Sequence, residues 1–245
     1  MTGSVTTQAS GLEQGYNANP NLQIARNLVA GQTEVNIFGY NPAVTTAQYA
    51  VWENVADYVF PSTALTMTLT GTGTDSAQIQ INGLDANYNP ISETLTLNGS
   101  TGVTTVNQYL RINGMQVTAG SSTNPASTVT LTNGGVTYAK INTGIGATQM
   151  SIYTVPAGCT FYLTRIDATT SLNGNNAAYM NYRNKNIKSN GVVTVRAQSA
   201  FTQNYRIQRV MPLSMTEKTD IQFQCGTNTG TAVVGIFVEG YLVQN

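Results

Sequence analysis

The stretch "MSIYTVPAGCTFYLTRIDATT", residues 150–170, carries the pattern that decides the fold. Apolar and polar residues alternate on both sides of the segment VPAG at 155–158, and a period of two is typical of half-buried β-strands. Pro and Gly within four residues favour a turn. We therefore predict a hairpin of two strands with its turn at 155–158 and with Ile152, Phe161 and Leu163 as core side chains.

The same alternation recurs along most of the chain. It is found in LTMTLT (65–70), QIQI (78–81), ETLTL (93–97), TVTLT (128–132) and DIQFQC (220–225). Asn-Gly pairs, which favour tight hairpin turns, occur at 82–83, 98–99, 113–114, 133–134, 173–174 and 190–191. These patterns predict an all-β chain of two tandem β-sandwich or jelly-roll-like domains. The best helix candidate is residues 45–60, which could hold one short helix or a loop.

Composition and charge suggest three segments. Residues 1–34 are polar and lack a strand pattern, so we predict an N-terminal arm that a partner must hold in place. Residues 35–140 and 141–245 are predicted as the first and second β-sandwich domains. Seven acids and three bases precede residue 141, a net charge of −4, whereas four acids and eight bases follow it, a net charge of +4. This asymmetry suggests that the two halves meet different surfaces.

The overall composition indicates a weakly charged surface over a real core. Charged residues make up 9% of the chain, against about 25% in average proteins, and 37 threonines and 26 asparagines take their place. A hydrophobic content of 41% argues against disorder. The first residues lack the pattern of a signal peptide, and the longest strongly apolar run, residues 232–238, is too short to span a membrane.

The chain contains no histidine, which excludes Ser-His-Asp and Cys-His catalysis and histidine metal sites. The carboxylate pairs Glu53/Asp57 and Glu217/Asp220 could in principle serve in glycoside hydrolysis. The sequence predicts no apolar pocket around either pair, so we expect no enzyme and no cofactor.

Two further patterns invite a chemical interpretation. Asp85, Asn87 and Asn89 match the first positions of a calcium-binding EF-hand loop, but Pro90 replaces the required glycine, which favours a plain polar turn. The run GIGATQ at 144–149 lacks the third glycine of a dinucleotide-binding loop. We therefore predict neither a metal nor a nucleotide site.

The two cysteines both lie in phase with core residues of predicted strands. Cys159 alternates with Phe161, and Cys225 alternates with Phe223. We expect two buried free thiols, and a disulfide between them stays open as an alternative.

A basic stretch at residues 179–210 holds six bases and no acid, interleaved with tyrosines. It is open to three interpretations: a solvated strand face, a contact with an acidic protein surface, or, least favoured, a single-strand nucleic-acid site. The candidate partner-binding residues are Arg183, Lys185, Lys188 and Arg206.

Several phrases together resemble virion structural proteins of tailed bacteriophages, especially phages of marine bacteria and cyanobacteria. These phrases, all within residues 25–170, are GYNPAV (39–44), YVFPS (58–62), INGLDANYNPISETLTLNGST (81–101), YLRINGMQV (109–117) and INTGIGATQMSIYTVPAGCTFYLTRI (141–166). The resemblance implies a β-rich, non-catalytic component of the virion.

Within that resemblance, we favour a capsid decoration or cement protein, since an arm and two domains of opposite charge suit a clamp between subunits. A tail component, either a fibre-attachment or a receptor- or glycan-binding protein, is the alternative, and a glycan-degrading tail enzyme is a third candidate. The implied partners are the major capsid protein or tail proteins. We expect a homo-oligomer, with a trimer as one candidate arrangement, and no association with membranes.

Overall fold

The structure, a computed structural model, describes residues 20–54, 56–120, 125–172 and 180–245. Within these ranges the chain forms one short helix and sixteen strands. In chain order they are α1 (Pro20–Ala25), β1 (Gln32–Val44), β2 (Tyr49–Ala50), β3 (Thr68–Thr70), β4 (Gln78–Leu84), β5 (Pro90–Thr96), β6 (Val103–Thr104), β7 (Arg111–Ala119), β8 (Val129–Asn133), β9 (Val136–Ile141), β10 (Ile152–Thr154), β11 (Cys159–Thr170), β12 (Met180–Ile187), β13 (Val193–Phe201), β14 (Asn204–Met215), β15 (Asp220–Thr227) and β16 (Ala232–Gln244).

The strands form four sheets, and every pairing between the named strands is antiparallel. Sheet I has the order β1-β16-β11-β14, and sheet II the order β10-β15-β12-β13 with β2 paired to β15. Sheet III has the order β6-β3-β8-β9, and sheet IV the order β5-β4-β7. The prediction of an all-β chain is thus confirmed. The described part of segment 45–60 holds β2, an isolated bridge at Trp52 and bends, but no helix.

Two hydrophobic cores organise these sheets. The first takes side chains from sheets I and II, such as Phe161 and Phe223, and the second takes side chains from sheets III and IV, such as Leu69 and Ile81. Residues 50–52 serve both cores, because Val51 is buried in the first, whereas its neighbours Ala50 and Trp52 are buried in the second. Alternation along an extended segment sends successive side chains to opposite sides, so this segment joins the two cores.

Sheet I combines strands from both ends of the chain. β1 pairs with β16 from Gln32↔Val243 to Val44↔Ala232, although we assigned most of β1 to the first domain and β16 to the second. Residues 20–34, which we assigned to the arm, lie against their own chain, since α1 packs beside β1 and Ile24 is buried. Residues 1–19 of the predicted arm lie outside the described residues, and the boundaries at 35 and 141 stay a prediction.

The hairpin predicted at 150–166 is wrong, although its core residues are confirmed. β10 pairs with β15 in sheet II, whereas β11 pairs with β14 and β16 in sheet I, so residues 155–158 cross between sheets. A second crossover, between β14 and β15, runs beside it: Val155 N–H donates to Thr219 O, and Lys218 N–H donates to Val155 O. Each crossover thus finds its backbone partners in the other one. Ile152, Phe161 and Leu163 are all buried.

The Asn-Gly pairs take two different roles. Those at 98–99, 133–134 and 190–191 lie in turns, as predicted. Those at 82–83 and 113–114 lie inside β4 and β7, where the register of the pair shifts. A glycine within a strand often marks such a bulge, so the dipeptide alone did not distinguish turn from bulge. The pair at 173–174 lies outside the described residues.

Among the residues that the structure describes, no helix has the length and the apolar character needed to cross a membrane.

Candidate functional site

The outward face of sheet I carries the most differentiated set of side chains. Along β16 the inward positions Ile236 and Val238 are fully buried, whereas the outward positions Gly235, Phe237 and Glu239 are partly exposed. The register of sheet I places outward residues of three strands side by side. One row contains Phe38, Phe237 and Asp167, and the next row contains Tyr40, Gly235 and Thr169.

These two rows surround a slot of about 330 Å³ on the sheet surface. Aromatic rings form one side, and hydroxyl groups and a carboxylate form the other. The slot is lined by Phe38, Tyr40, Asp167, Thr169, Thr170, Ser171, Val233, Gly235 and Phe237. The Phe38 side chain is 42% exposed, although its neighbour Ile37 is buried in the first core. Aromatic walls with a few convergent polar groups are the usual composition of a small-molecule site.

Gly235 forms the floor of the slot because it has no side chain. A Cβ atom built at this position would lie 3.3 Å from Thr169 Oγ1, closer than an ordinary contact. Any larger outward side chain at residue 235 would therefore occupy the slot. We did not predict this site. Its only sequence signal is a glycine within two residues of an aromatic residue in both "IFGY" (37–40) and "VGIF" (234–237), on strands that are distant in sequence.

A balanced set of charges borders the slot. Arg206 Nε donates to Asp167 Oδ1 at 2.6 Å, Arg165 pairs with Asp167 Oδ2, and Arg165 Nη1 donates to Glu239 Oε2 at 3.4 Å. Burial alone would raise the pKa of Asp167, but the hydrogen bonds and charges of the two arginines outweigh it and hold the pKa below its ordinary value. The two positive charges of these arginines thus balance the two negative charges of Asp167 and Glu239.

A second aromatic pair lies on the same outward face. The rings of Tyr162 and Tyr241 stack with their centroids 5.4 Å apart and their planes at 18°. Beside Tyr241, α1 and sheet I enclose another cavity of about 340 Å³. Its lining includes Leu22 and Ile24 of the helix, so this cavity belongs to the seam between α1 and the sheet.

The outward face of sheet II differs because the rest of the chain covers it along β15. Asp220, Gln222 and Gln224 point away from the first core and yet are at most 4% exposed. Gln222 Nε2 donates to Tyr58 O at 3.2 Å, and Gln224 Nε2 donates to Gln222 Oε1 at 2.9 Å. We predicted DIQFQC as a half-exposed strand, but both of its faces are buried.

A buried ion pair connects sheet IV with sheet II. Arg111 Nε and Nη2 donate to the two carboxylate oxygens of Asp220 at 2.6 and 2.8 Å, and Arg111 Nη1 donates to Pro61 O. The guanidinium carbon lies 5.0 Å from the ring centroid of Phe60. Burial alone would lower the pKa of Arg111, but Asp220 outweighs this and raises it. This pair leaves no spare charge for a ligand.

The four predicted partner-binding bases do not form one surface. Arg183 and Lys185 lie on β12, opposite to the core residue Tyr182, and Lys188 lies in the turn after β12. Arg206 lies on the outward face of sheet I. The Arg183 guanidinium donates twice to Gln224 Oε1, and Arg206 is paired with Asp167. Binding of a partner by these residues stays a prediction.

The candidate carboxylates also have structural partners. Glu53 is buried and accepts hydrogen bonds from the backbone N–H groups of Asn142 and Gln149. Burial raises the pKa of Glu53, and these hydrogen bonds offset part of the effect. Asp57 is exposed and accepts a hydrogen bond from Tyr58 N–H, so the pair shares no helical face. Glu217 accepts a hydrogen bond from Gly158 N–H, whereas its predicted mate Asp220 is buried.

The polar turn predicted at 85–89 is confirmed. Asp85 Oδ1 accepts hydrogen bonds from the N–H groups of Asn87 and Asn89, and the turn joins β4 to β5. Within the described ranges, no three histidine, cysteine or acidic side chains come together as a metal site.

Both cysteines are free thiols. Cys225 is buried, as predicted, but Cys159 is only partly buried. Burial raises the pKa of both thiols, which keeps them protonated at neutral pH.

Comparison with known proteins assigns this chain to no family. No protein-family model matches the chain, and no curated protein matches it. Among solved structures, a crystal structure of the infectious bursal disease virus VP2 subviral particle aligns over 87% of this chain and 76% of that chain, with 8% identity and a TM-score of 0.13.

Proposed function

We propose that this chain is a non-catalytic structural protein of a tailed-phage virion, and that it acts as a capsid decoration or cement protein. In this proposal, sheets I and II form one β-sandwich and sheets III and IV form another, each related to the jelly roll. Its partners are the major capsid protein and further copies of the same chain, for which a trimer is the simplest arrangement to test.

The non-catalytic role is supported by the hydrogen bonds that the carboxylates accept from other groups of the protein. Of the eleven acids, Glu13 lies outside the described residues, and each of the other ten accepts a hydrogen bond from a backbone N–H or a side chain of the protein. An acid or base in catalysis must be within reach of a substrate in a cleft. These ten acids are held by groups of the protein itself, and Asp167, the one acid among them that lines the slot, is paired with both Arg165 and Arg206.

The virion role is supported by the phrases within residues 25–170 and by the weakly charged, threonine- and asparagine-rich composition. A lone soluble protein benefits from net charge, whereas a protein packed into an assembly needs it less. The buried Arg111–Asp220 pair also ties sheets II and IV together, which suits a protein that must resist deformation between neighbouring subunits.

The test is the position and copy number of the chain in purified particles. We expect antibody labelling over the capsid surface and a copy number that follows the capsid lattice. Labelling confined to the tail, with a copy number set by tail symmetry, would overturn the decoration role.

A tail component that binds a receptor or glycan is the second candidate, because the slot beside Phe237 has the lining of a ligand site.

The basic residues provide a separate test of docking. Since the structure separates them, the Lys185→Ala/Lys188→Ala pair and the single Arg206→Ala variant should be compared for attachment to particles that lack the protein. If one surface docks on an acidic partner, only one of the two variants should reduce the salt dependence of attachment.

A further inference from the structure

We propose that the slot between Phe38, Phe237 and Asp167 is a binding site for one neutral sugar ring. This inference deepens the second candidate role and rests on the chain being a binding protein, whether it is part of the capsid or of the tail.

The aromatic side of the slot provides the apolar contact that a sugar needs. A pyranose ring has a face of C–H groups, which packs on an aromatic ring, and hydroxyl groups around its edge, which need hydrogen bonds. Phe38 and Phe237 are direct cross-strand neighbours on β1 and β16, and Tyr40 follows Phe38 on the same face. Large, partly exposed aromatic side chains on a surface usually mark a contact site.

The opposite side of the slot provides the polar contacts. Thr169, Thr170 and Ser171 contribute hydroxyl groups, and Asp167 contributes a carboxylate. Each Asp167 oxygen is held by one arginine, and a carboxylate oxygen can accept a second hydrogen bond. A sugar hydroxyl above Gly235 could therefore donate to Asp167 while its ring lies against Phe237.

The charge balance selects a neutral ligand. Asp167 is the one charged residue among the described residues that line the slot, and it is already paired with Arg165 and Arg206. A phosphate or a carboxylate would meet no unpaired cation there, and a cation would compete with two arginines. A nucleobase would also stack on the aromatic rings, but a nucleotide lacks a partner for its phosphate.

The size of the slot restricts the ligand to about one ring. A volume of about 330 Å³ lies at the low end of the range of roughly 300–1,000 Å³ for small-molecule sites. The slot is also open along the sheet surface, which leaves room for a glycan chain to continue into solvent.

The experiment is a titration of the ¹⁵N-labelled full-length chain with methyl glycosides of glucose, galactose, mannose and N-acetylglucosamine, followed by NMR. Uridine and adenosine serve as competing ligands. At least one glycoside should shift the amide signals of Gly235 and Thr169 in the millimolar range. Phe237→Ser should weaken binding about tenfold, equivalent to about 1.4 kcal/mol, and Gly235→Val should abolish it because the new side chain fills the floor.

Gln208→Ala, an exposed substitution on the same face outside the slot, should bind like the unmodified chain. The spectra themselves report whether each variant is folded, and Phe38→Ser replaces any variant that is not. The proposal is overturned if none of the four glycosides shifts these signals, if only the nucleosides do, or if binding survives in both slot variants. The position of the chain in the particle is measured separately, so a failure here leaves the decoration role intact.

Discussion

β15 and β16 are consecutive strands that belong to different sheets, and their surroundings are the reverse of what their sequences predict. β15 alternates polar and apolar residues, as a half-exposed strand should, but all eight of its residues are buried. β16 begins with the longest strongly apolar run of the chain, yet every second residue of its first part is partly exposed. Polar residues are thus buried on one strand, and apolar residues are exposed on the other.

The difference shows which outward strand face is covered by other parts of the described chain and which is not. On β15 the buried Asp220 and Gln222 meet Arg111 and the backbone of Tyr58, so their polarity serves an internal junction. On β16 the outward Phe237 and Gly235 line a slot that no segment of the described residues covers. Buried polar groups and exposed apolar groups are the informative exceptions to simple patterning.

The strongest test of this contrast is to remove equivalent carboxylates from the two faces. Asp220→Ala should lower the free energy of unfolding by about 3–5 kcal/mol, because it leaves the Arg111 charge buried without its partner. The measurement is urea-induced unfolding. The double variant Arg111→Met/Asp220→Leu should recover most of the loss, since apolar residues of similar volume replace a buried pair well. A small effect of Asp220→Ala would mean that water reaches this junction.

Substitutions at successive positions of β16 should lower the free energy of unfolding by alternately large and small amounts. Ile236→Ala should cost about 2–5 kcal/mol, because it leaves a cavity in the first core. The adjacent Phe237→Ser should cost at most about 1 kcal/mol, since that side chain faces solvent. Thermal and urea unfolding of the two variants would check this, and equal losses would mean that the outward face is covered.

The buried amides of β15 should have an intermediate effect. Gln222→Ala removes the hydrogen bonds to Tyr58 O and from Gln224, which should cost about 1–3 kcal/mol because the remaining groups stay buried. The matched control is Gln208→Ala on the exposed face of β14, which should change stability by less than about 0.5 kcal/mol. If the two glutamine variants behaved alike, the junction would be solvated.

The smallest effect is expected for Asp167, the partly exposed counterpart of Asp220. Asp167→Ala should cost less than about 1 kcal/mol at neutral pH, since its ion pairs are near the surface and screened by salt. Because folding lowers the pKa of Asp167, its contribution is present above the ordinary value of 3.8 and is lost as the pH falls through the folded-state pKa. We therefore expect the unmodified protein and Asp167→Ala to differ in their free energy of unfolding at pH 7 and to become equal towards pH 2. Urea-induced unfolding of both proteins across this pH range would measure the difference.

The sequence by itself determined the all-β class, the positions of several strands such as β4, β8 and β11, the polar turn at 85–89 and the core residues Ile152, Phe161 and Leu163. These features depend on local alternation and turn chemistry, which act over a few residues. A pattern of period two states which side chains share a face, but it does not state what covers that face.

Only the tertiary structure decided the pairing partners. The segment at 155–158 has the sequence of a hairpin turn, yet β10 and β11 enter different sheets because each crossover finds its backbone partners in the other. The slot, likewise, exists because β1 and β16, about 200 residues apart in the sequence, place Phe38 beside Phe237. Long-range pairing is set by the sum of many weak contacts, and no single stretch of sequence contains that information.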